Sequence, residues 1–170
     1  MPRQRLSLEA MRDAMLFASG ELSSDMGGRP FELLSNPITP RRSVYAFVNR
    51  DIVTPLMSTF DSPNPNACTA KRPETTVPQQ TLFALNSRFI QDRAAALSRA
   101  VTGSRESGEE VSAAEKIKLL YRRSYSREPD STELVMAKRF ISIPEGRDDS
   151  QVWQQLAHAL LAANEFVFLD

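Results

Sequence analysis

The sequence is poor in the residues that build reactive centres. Its 170 residues include one cysteine, Cys68, and one histidine, His158. That excludes an intramolecular disulfide, a zinc site built from several Cys and His ligands, and a C-x-x-C-H haem attachment site. Any metal would have to be a hard cation on oxygen ligands. The expectation is therefore no metal site, no cofactor and no catalytic residue in this chain. An excess of charge of either sign is also missing. There are 21 Lys and Arg against 21 Asp and Glu, and residues 1–70 hold seven of each sign. Without a basic tract, the electrostatic footprint of a nucleic-acid binder is absent. No apolar run approaches the roughly 20 residues that span a bilayer. The opening MPRQRLSLEAM lacks the apolar segment and cleavage site of a signal peptide. The expectation is either a cytosolic chain or a piece of a longer protein whose export signal lies elsewhere. No G-x-S-x-G, H-E-x-x-H or phosphate-binding loop occurs.

What the chain does have is helix punctuation. Ser7 can cap a first helix from Leu8 to Ser19, ended by Gly20, with Leu8, Met11, Met15 and Ala18 on one face. Residues 20–40 read as a connector, because Gly27-Gly28 and Pro30, Pro37 and Pro40 interrupt any long helix. Phe31–Leu34 suits a short extended piece. Thr39-Pro40 can open a second helix over Arg41–Arg50, with Val44, Phe47, Val48 and Ile52 sharing a face. The letters VYAFV also suit a buried strand, but the Thr-Pro start and the helical context favour helix. Ser112 with Glu115 and Asp130 with Glu133 form capping boxes for two further helices, and Ser150 can cap the last. That last helix turns Val152, Leu156, Ala159, Leu160 and Ala163 inward. Residues 102–111 and Pro144–Asp149 read as exposed loops.

Between these segments lies the most informative stretch, FDSPNPNACTAKRPETTVPQQTLFALN from Phe60 to Asn86. Asp61 to Asn66 are turn formers. Thr76-Val-Pro-Gln79 then reads as a helix start, with Thr76 as cap, Pro78 in the first turn and Gln79 reaching back. From Thr76 the helix runs to about Val101, with Leu82, Leu85, Phe89, Ala94 and Leu97 on a broad apolar face. The expected fold is mainly α: a single domain, residues 1–170, of about five or six helices with long Pro-rich connectors and little or no strand.

RRSVYAFVNR at 41–50, Phe60-Asp61, the segment from Arg72 to Gln80, Leu85-Asn86 and the closing Asn164–Phe166 together resemble the planctomycete surface domain, domain of unknown function 1553. The resemblance implies the C-terminal domain of an exported planctomycete protein that carries cytochrome-c-like modules. It implies an extracytoplasmic or cell-surface location. It supplies no catalytic residue. Cys68 is followed by Thr-Ala-Lys, so no haem site carries over to this chain.

The candidate binding residues are Asp61, Arg72, Glu74, Gln79, Arg41 and Arg42. Arg guanidinium matches carboxylates bidentately, so these residues can tie the loop to the second helix. The alternative is a polar pocket for carbohydrate, with Asp61 and Glu74 as an acid/base pair. Calcium on Asp61, Asn64 and Asn66 is outweighed by turn residues bonding their own backbone. Cys68 is expected to be buried and inert, and His158 to be a core or half-buried histidine. Tyr121, Tyr125 and Trp153 read as core in preference to sugar-stacking platforms. The first-choice function is a non-catalytic interaction or structural module. Its partners would be upstream domains of the same protein or a surface polymer. The alternative is a domain acting on carbohydrate or assisting a cytochrome-like redox module.

Overall fold

A computed structural model describes residues 4–35, 37–103, 105–106, 109–142 and 148–169. Among them are eight α-helices: α1 (Leu8–Ser19), α2 (Pro55–Thr59), α3 (Pro78–Asn86), α4 (Arg88–Thr102), α5 (Ala113–Tyr125), α6 (Ser131–Ser142), α7 (Asp149–Ala162) and α8 (Asn164–Val167). Among the described residues strand is confined to two short antiparallel pairs. β1 (Gln4–Arg5) pairs with β4 (Phe168–Leu169), and β2 (Arg105–Glu106) pairs with β3 (Glu109–Glu110). The fold is mainly α, as the capping pattern implies.

Local chemistry accounts for most boundaries. Ser7 Oγ accepts from Ala10 N–H, and Gly20 closes α1 in the left-handed region at φ 78°. Asp130 and Glu133 form a full capping box, each carboxylate accepting from the other residue's N–H at 2.8 Å. The central pair is α4 on α7, with α1 against α4 and α5 completing the core. Ile90, Ala94, Leu97 and Val101 of α4 meet Ala157 and Leu161 of α7, Ile117 and Leu120 of α5, and Leu8 and Met15 of α1, all essentially inaccessible to water. Burying such a side chain contributes about 1.5–3 kcal/mol. Trp153 is buried among them, whereas the α1 face is core and leaves only Phe17 conspicuous on the surface.

Five expectations are corrected. Arg41–Arg50 is not a helix. It holds a single 3-10 turn at Ser43–Tyr45, and Phe31 and Ala46 form an isolated parallel bridge. The reason is that side chains of α1 take its backbone groups, so no helical ladder is needed. Asp13 accepts from Ser43 N–H at 2.9 Å, and Arg12 donates to the Arg41 carbonyl at 2.9 Å. Val44, Phe47, Val48 and Ile52 consequently lie exposed. The long helix from Thr76 is broken at Ser87, whose ψ of 123° is extended, and Leu82 and Leu85 on α3 are exposed. Its cap shifts by one residue: Val77 is the N-cap, and Gln80, not Gln79, reaches back to its N–H. The last helix starts at Asp149 because Asp148, not Ser150, caps it, accepting from Ser150 N–H and O–H. Ala159 faces outward there. The expected loop 102–111 carries the β2–β3 pair, with residues 104, 107 and 108 outside the described residues. Most of the expected loop at 144–149 lies outside them too.

Candidate functional site

The Phe60–Gln80 stretch folds into a clasp over the start of the chain. Asp61 sits at φ 56°, a left-handed conformation that Asp tolerates better than most residues. That turn aims its carboxylate at Arg5 and Thr75. Arg5 Nη2 donates to Oδ2 at 2.6 Å, Thr75 N–H to Oδ2 at 2.8 Å and Thr75 O–H to Oδ1 at 2.7 Å. Arg5 also donates to the Thr75 carbonyl at 2.7 Å and covers the Phe60 ring. Burial pushes the Asp61 carboxyl up, but the two Thr75 donors and Arg5 together hold it below the usual carboxylate range.

Arg72 is the second half of the clasp. Its Nε donates to the Asp61 carbonyl at 2.8 Å, its Nη2 to Ser62 Oγ at 2.8 Å and its Nη1 to Glu9 on α1 at 3.1 Å. Gln80 fastens the other end, donating to the carbonyls of Thr59 at 2.8 Å and Thr75 at 3.1 Å. Asp61 and Arg72 therefore do come together, but they tie the loop to β1 and α1, not to Arg41 and Arg42. Glu74 is exposed and lies 4.0 Å from Lys71. Gln79 is exposed on the first turn of α3. The acid/base pair weighed for Asp61 and Glu74 is not assembled, because the Asp61 carboxylate is committed to Arg5 and Thr75. In the following turn Asn64 Oδ1 accepts from Asn66 N–H, and Asn66 donates to the Arg50 carbonyl. Among the described residues no group of three or more His, Cys, Asp or Glu could hold a metal ion.

Arg41 and Arg42 lie elsewhere. Arg41 donates to the carbonyls of Arg29 and Gly27 and stacks on Tyr45 and Phe31, while Arg42 is exposed. The residue that organises this region is Arg12, 1% exposed, on the core side of α1. It donates to the carbonyls of Leu33 at 2.7 Å, Thr39, and Arg41 at 2.9 Å, and to Ser43 Oγ at 3.2 Å. A sequence signal for it exists: Arg12 occupies the helical register of Leu8, Met11 and Met15, where a solvated arginine does not belong.

Another arginine joins α6 to α8. Arg127 makes paired bonds to Glu133, at 2.7 Å each, and to Glu165, at 2.6 and 2.8 Å, over the rings of Tyr121 and Tyr125. Tyr125 donates to the Leu160 carbonyl at 2.9 Å. Glu165 thus gives the Asn164–Phe166 segment its role. His158 is half-buried on α7, its Nε2 3.0 Å from the Ala84 carbonyl. Cys68 is exposed, not buried as expected.

Beside these clasps the connector leaves an apolar groove of about 420 Å³, walled by Leu33, Leu34, Phe47, Ile52, Leu56 and Met57. Phe47 is 54% and Ile52 65% exposed on its rim. Among the described residues no helix is long and apolar enough to cross a membrane. Neither the curated proteins nor the solved structures searched contain a match to this chain. Residues 1–141, which hold the Asp61 clasp, the Arg12 hub and Arg127, match the family described as PSD1, protein of unknown function (DUF1553), and the chain belongs to that family.

Proposed function

We propose that this chain is a non-catalytic interaction or structural module of an exported, multi-domain planctomycete protein. Its partner is a neighbouring upstream domain of the same protein. The observation that carries this reading is the division of labour in the family stretch. Its charged groups, Asp61 and Arg72, are used to hold the fold, while the connector beside them presents Val44, Phe47, Val48 and Ile52 to solvent. A charged pair committed to internal partners is a poor acid/base catalyst. Exposed apolar groups, of which Phe47 and Ile52 line a groove, are what a docking face requires.

Hydrogen exchange tests the reading. Amides of residues 44–57 should exchange more slowly in the natural full-length protein than in the isolated chain, by about tenfold or more. The double substitution Phe47→Asp, Ile52→Asp should remove that protection and leave the helices folded. Equal exchange in both contexts, or turnover of a polysaccharide by the isolated chain, would overturn the proposal.

A further inference from the structure

The groove beside the clasps carries a single charge. Six of the side chains that line it are apolar, and Asn49 and Thr54 are neutral. The exception is Glu32, which is exposed. Among the described residues no lysine or arginine pairs with its carboxylate. The nearby guanidinium groups are engaged elsewhere, since Arg12 and Arg41 donate to connector carbonyls. The two neutral groups are partly engaged by the fold. Asn49 Oδ1 accepts from Asp51 N–H at 2.9 Å, and Thr54 Oγ1 accepts from Met57 N–H at 3.3 Å as the cap of α2. What the groove offers an occupant is a wall of apolar side chains and one carboxylate.

That carboxylate discriminates between occupants. An anionic lipid surface is repelled by it. A second copy docked groove to groove across a two-fold axis brings the two Glu32 carboxylates towards each other, and like charges facing across an interface oppose docking. A polypeptide segment with apolar side chains and one basic residue matches both parts of the groove. Its apolar groups lose contact with water against Phe47 and Ile52, and its cation meets the one unpaired anion on the wall.

We infer that the groove takes an apolar segment carrying one lysine or arginine, its cation on Glu32 and its apolar side chains against Phe47, Ile52 and Met57. The inference rests on the docked upstream domain proposed for this face, and it names the chemistry of the docking segment. The volume of about 420 Å³ suits a few anchoring side chains. A charge at the rim of an interface sets specificity and association rate, and salt screens it. The docking is therefore held by apolar burial, directed by Glu32 and weakened by salt.

Two measurements test it. The first follows amide exchange of residues 44–57 in the natural full-length protein at about 0.05 M and about 0.5 M NaCl. Protection should fall with salt by about threefold or more, and Glu32→Gln should remove that salt dependence. Glu32→Lys should bring protection to within about twofold of that in the isolated chain. Neither variant should lower the thermal midpoint of the isolated chain, because Glu32 has no partner within it. The second titrates the isolated chain with acetyl-Phe-Leu-Lys-amide and acetyl-Phe-Leu-Glu-amide, followed by the amide shifts of residues 47–57. The lysine peptide should bind at least about fivefold more tightly, and Glu32→Gln should abolish the difference. Protection indifferent to salt and to Glu32→Lys overturns the role of the cation and leaves the docked domain standing. Absent protection with the lysine preference intact overturns the upstream domain as partner and leaves the chemistry of the groove standing. Equal binding of the two peptides, binding of neither, or a lowered midpoint in Glu32→Gln overturns the inference.

Discussion

Arg12→Met separates the work of the guanidinium from that of its aliphatic stem. Methionine keeps an unbranched apolar side chain in the α1 face and removes every donor. The carbonyls of Leu33, Thr39 and Arg41 then lose a buried cationic donor, and Asp13 loses its neighbouring charge. Hydrogen bonds to charged groups contribute about 1.5–3 kcal/mol each, and removing one partner of a buried ionic set costs about 3–5 kcal/mol. Asp13 is 24% exposed and can recover water, which places the expectation near the lower end, about 3–4 kcal/mol. For a chain of this size that is a fall in thermal midpoint of roughly 6–16 °C. Urea unfolding should show a lower midpoint with an unchanged slope. Hydrogen exchange should quicken first in residues 33–46, the part of the connector that Arg12 holds. Arg12→Lys should fall between, because an ammonium keeps the charge but not the fork. A loss below about 1 kcal/mol in Arg12→Met, or exchange that rises uniformly, would refute the claim that this side chain pins the connector.

Acid should weaken the fold in a way that can be assigned. Asp61 and Glu133 are both held below the ordinary carboxylate range, Asp61 because its hydrogen bonds outweigh its burial and Glu133 chiefly by the Arg127 bond. A carboxyl lowered in the folded state stabilises fully above its unfolded pKa, and that contribution is lost as pH falls through the lowered value. The urea midpoint should therefore be flat from pH 8 to 6 and fall below about pH 4. Asp61→Asn, which tolerates the same backbone, should flatten the fall. A midpoint that rises on acidification would contradict the assignment. The exposed thiol of Cys68 should react stoichiometrically with a disulfide reagent in the native protein, without denaturant. A thiol titrating only after unfolding would place it inside.

The helices were legible wherever a cap and an apolar stripe coincided. Ser7 and Gly20 delimit α1 at the residues expected of them, and Asp130 with Glu133 opens α6 through the bonds a capping box requires. The connector was not legible. VYAFV has the composition of a buried segment, yet Val44, Phe47 and Val48 lie outside, because Asp13 and Arg12 on α1 claim the backbone around Ser43. That is a tertiary decision made some thirty residues away, and no local window contains it. Asp61 and Arg72 stood out as a charged pair that would meet, but their other partners, Arg5 and Glu9, sit in a stretch read only as a helix start. Arg12 and Arg93 carried a usable signal, since each occupies a helical register otherwise filled by core residues.

The β1–β4 pair has a mechanical meaning. Gln4 stands opposite Leu169 and Arg5 opposite Phe168, and Leu6 donates to the Val167 carbonyl at 2.8 Å. Both ends of the described chain therefore leave the molecule at one point and in opposite strand directions. Tension applied through them loads this ribbon like a zip, breaking its bonds one pair at a time instead of shearing them together. Once the ribbon has parted, the pull arrives at Arg5, and its grip on Asp61 becomes the first latch in line. On the N-terminal side the Asp61 loop is then the anchor that takes the load before it reaches α1.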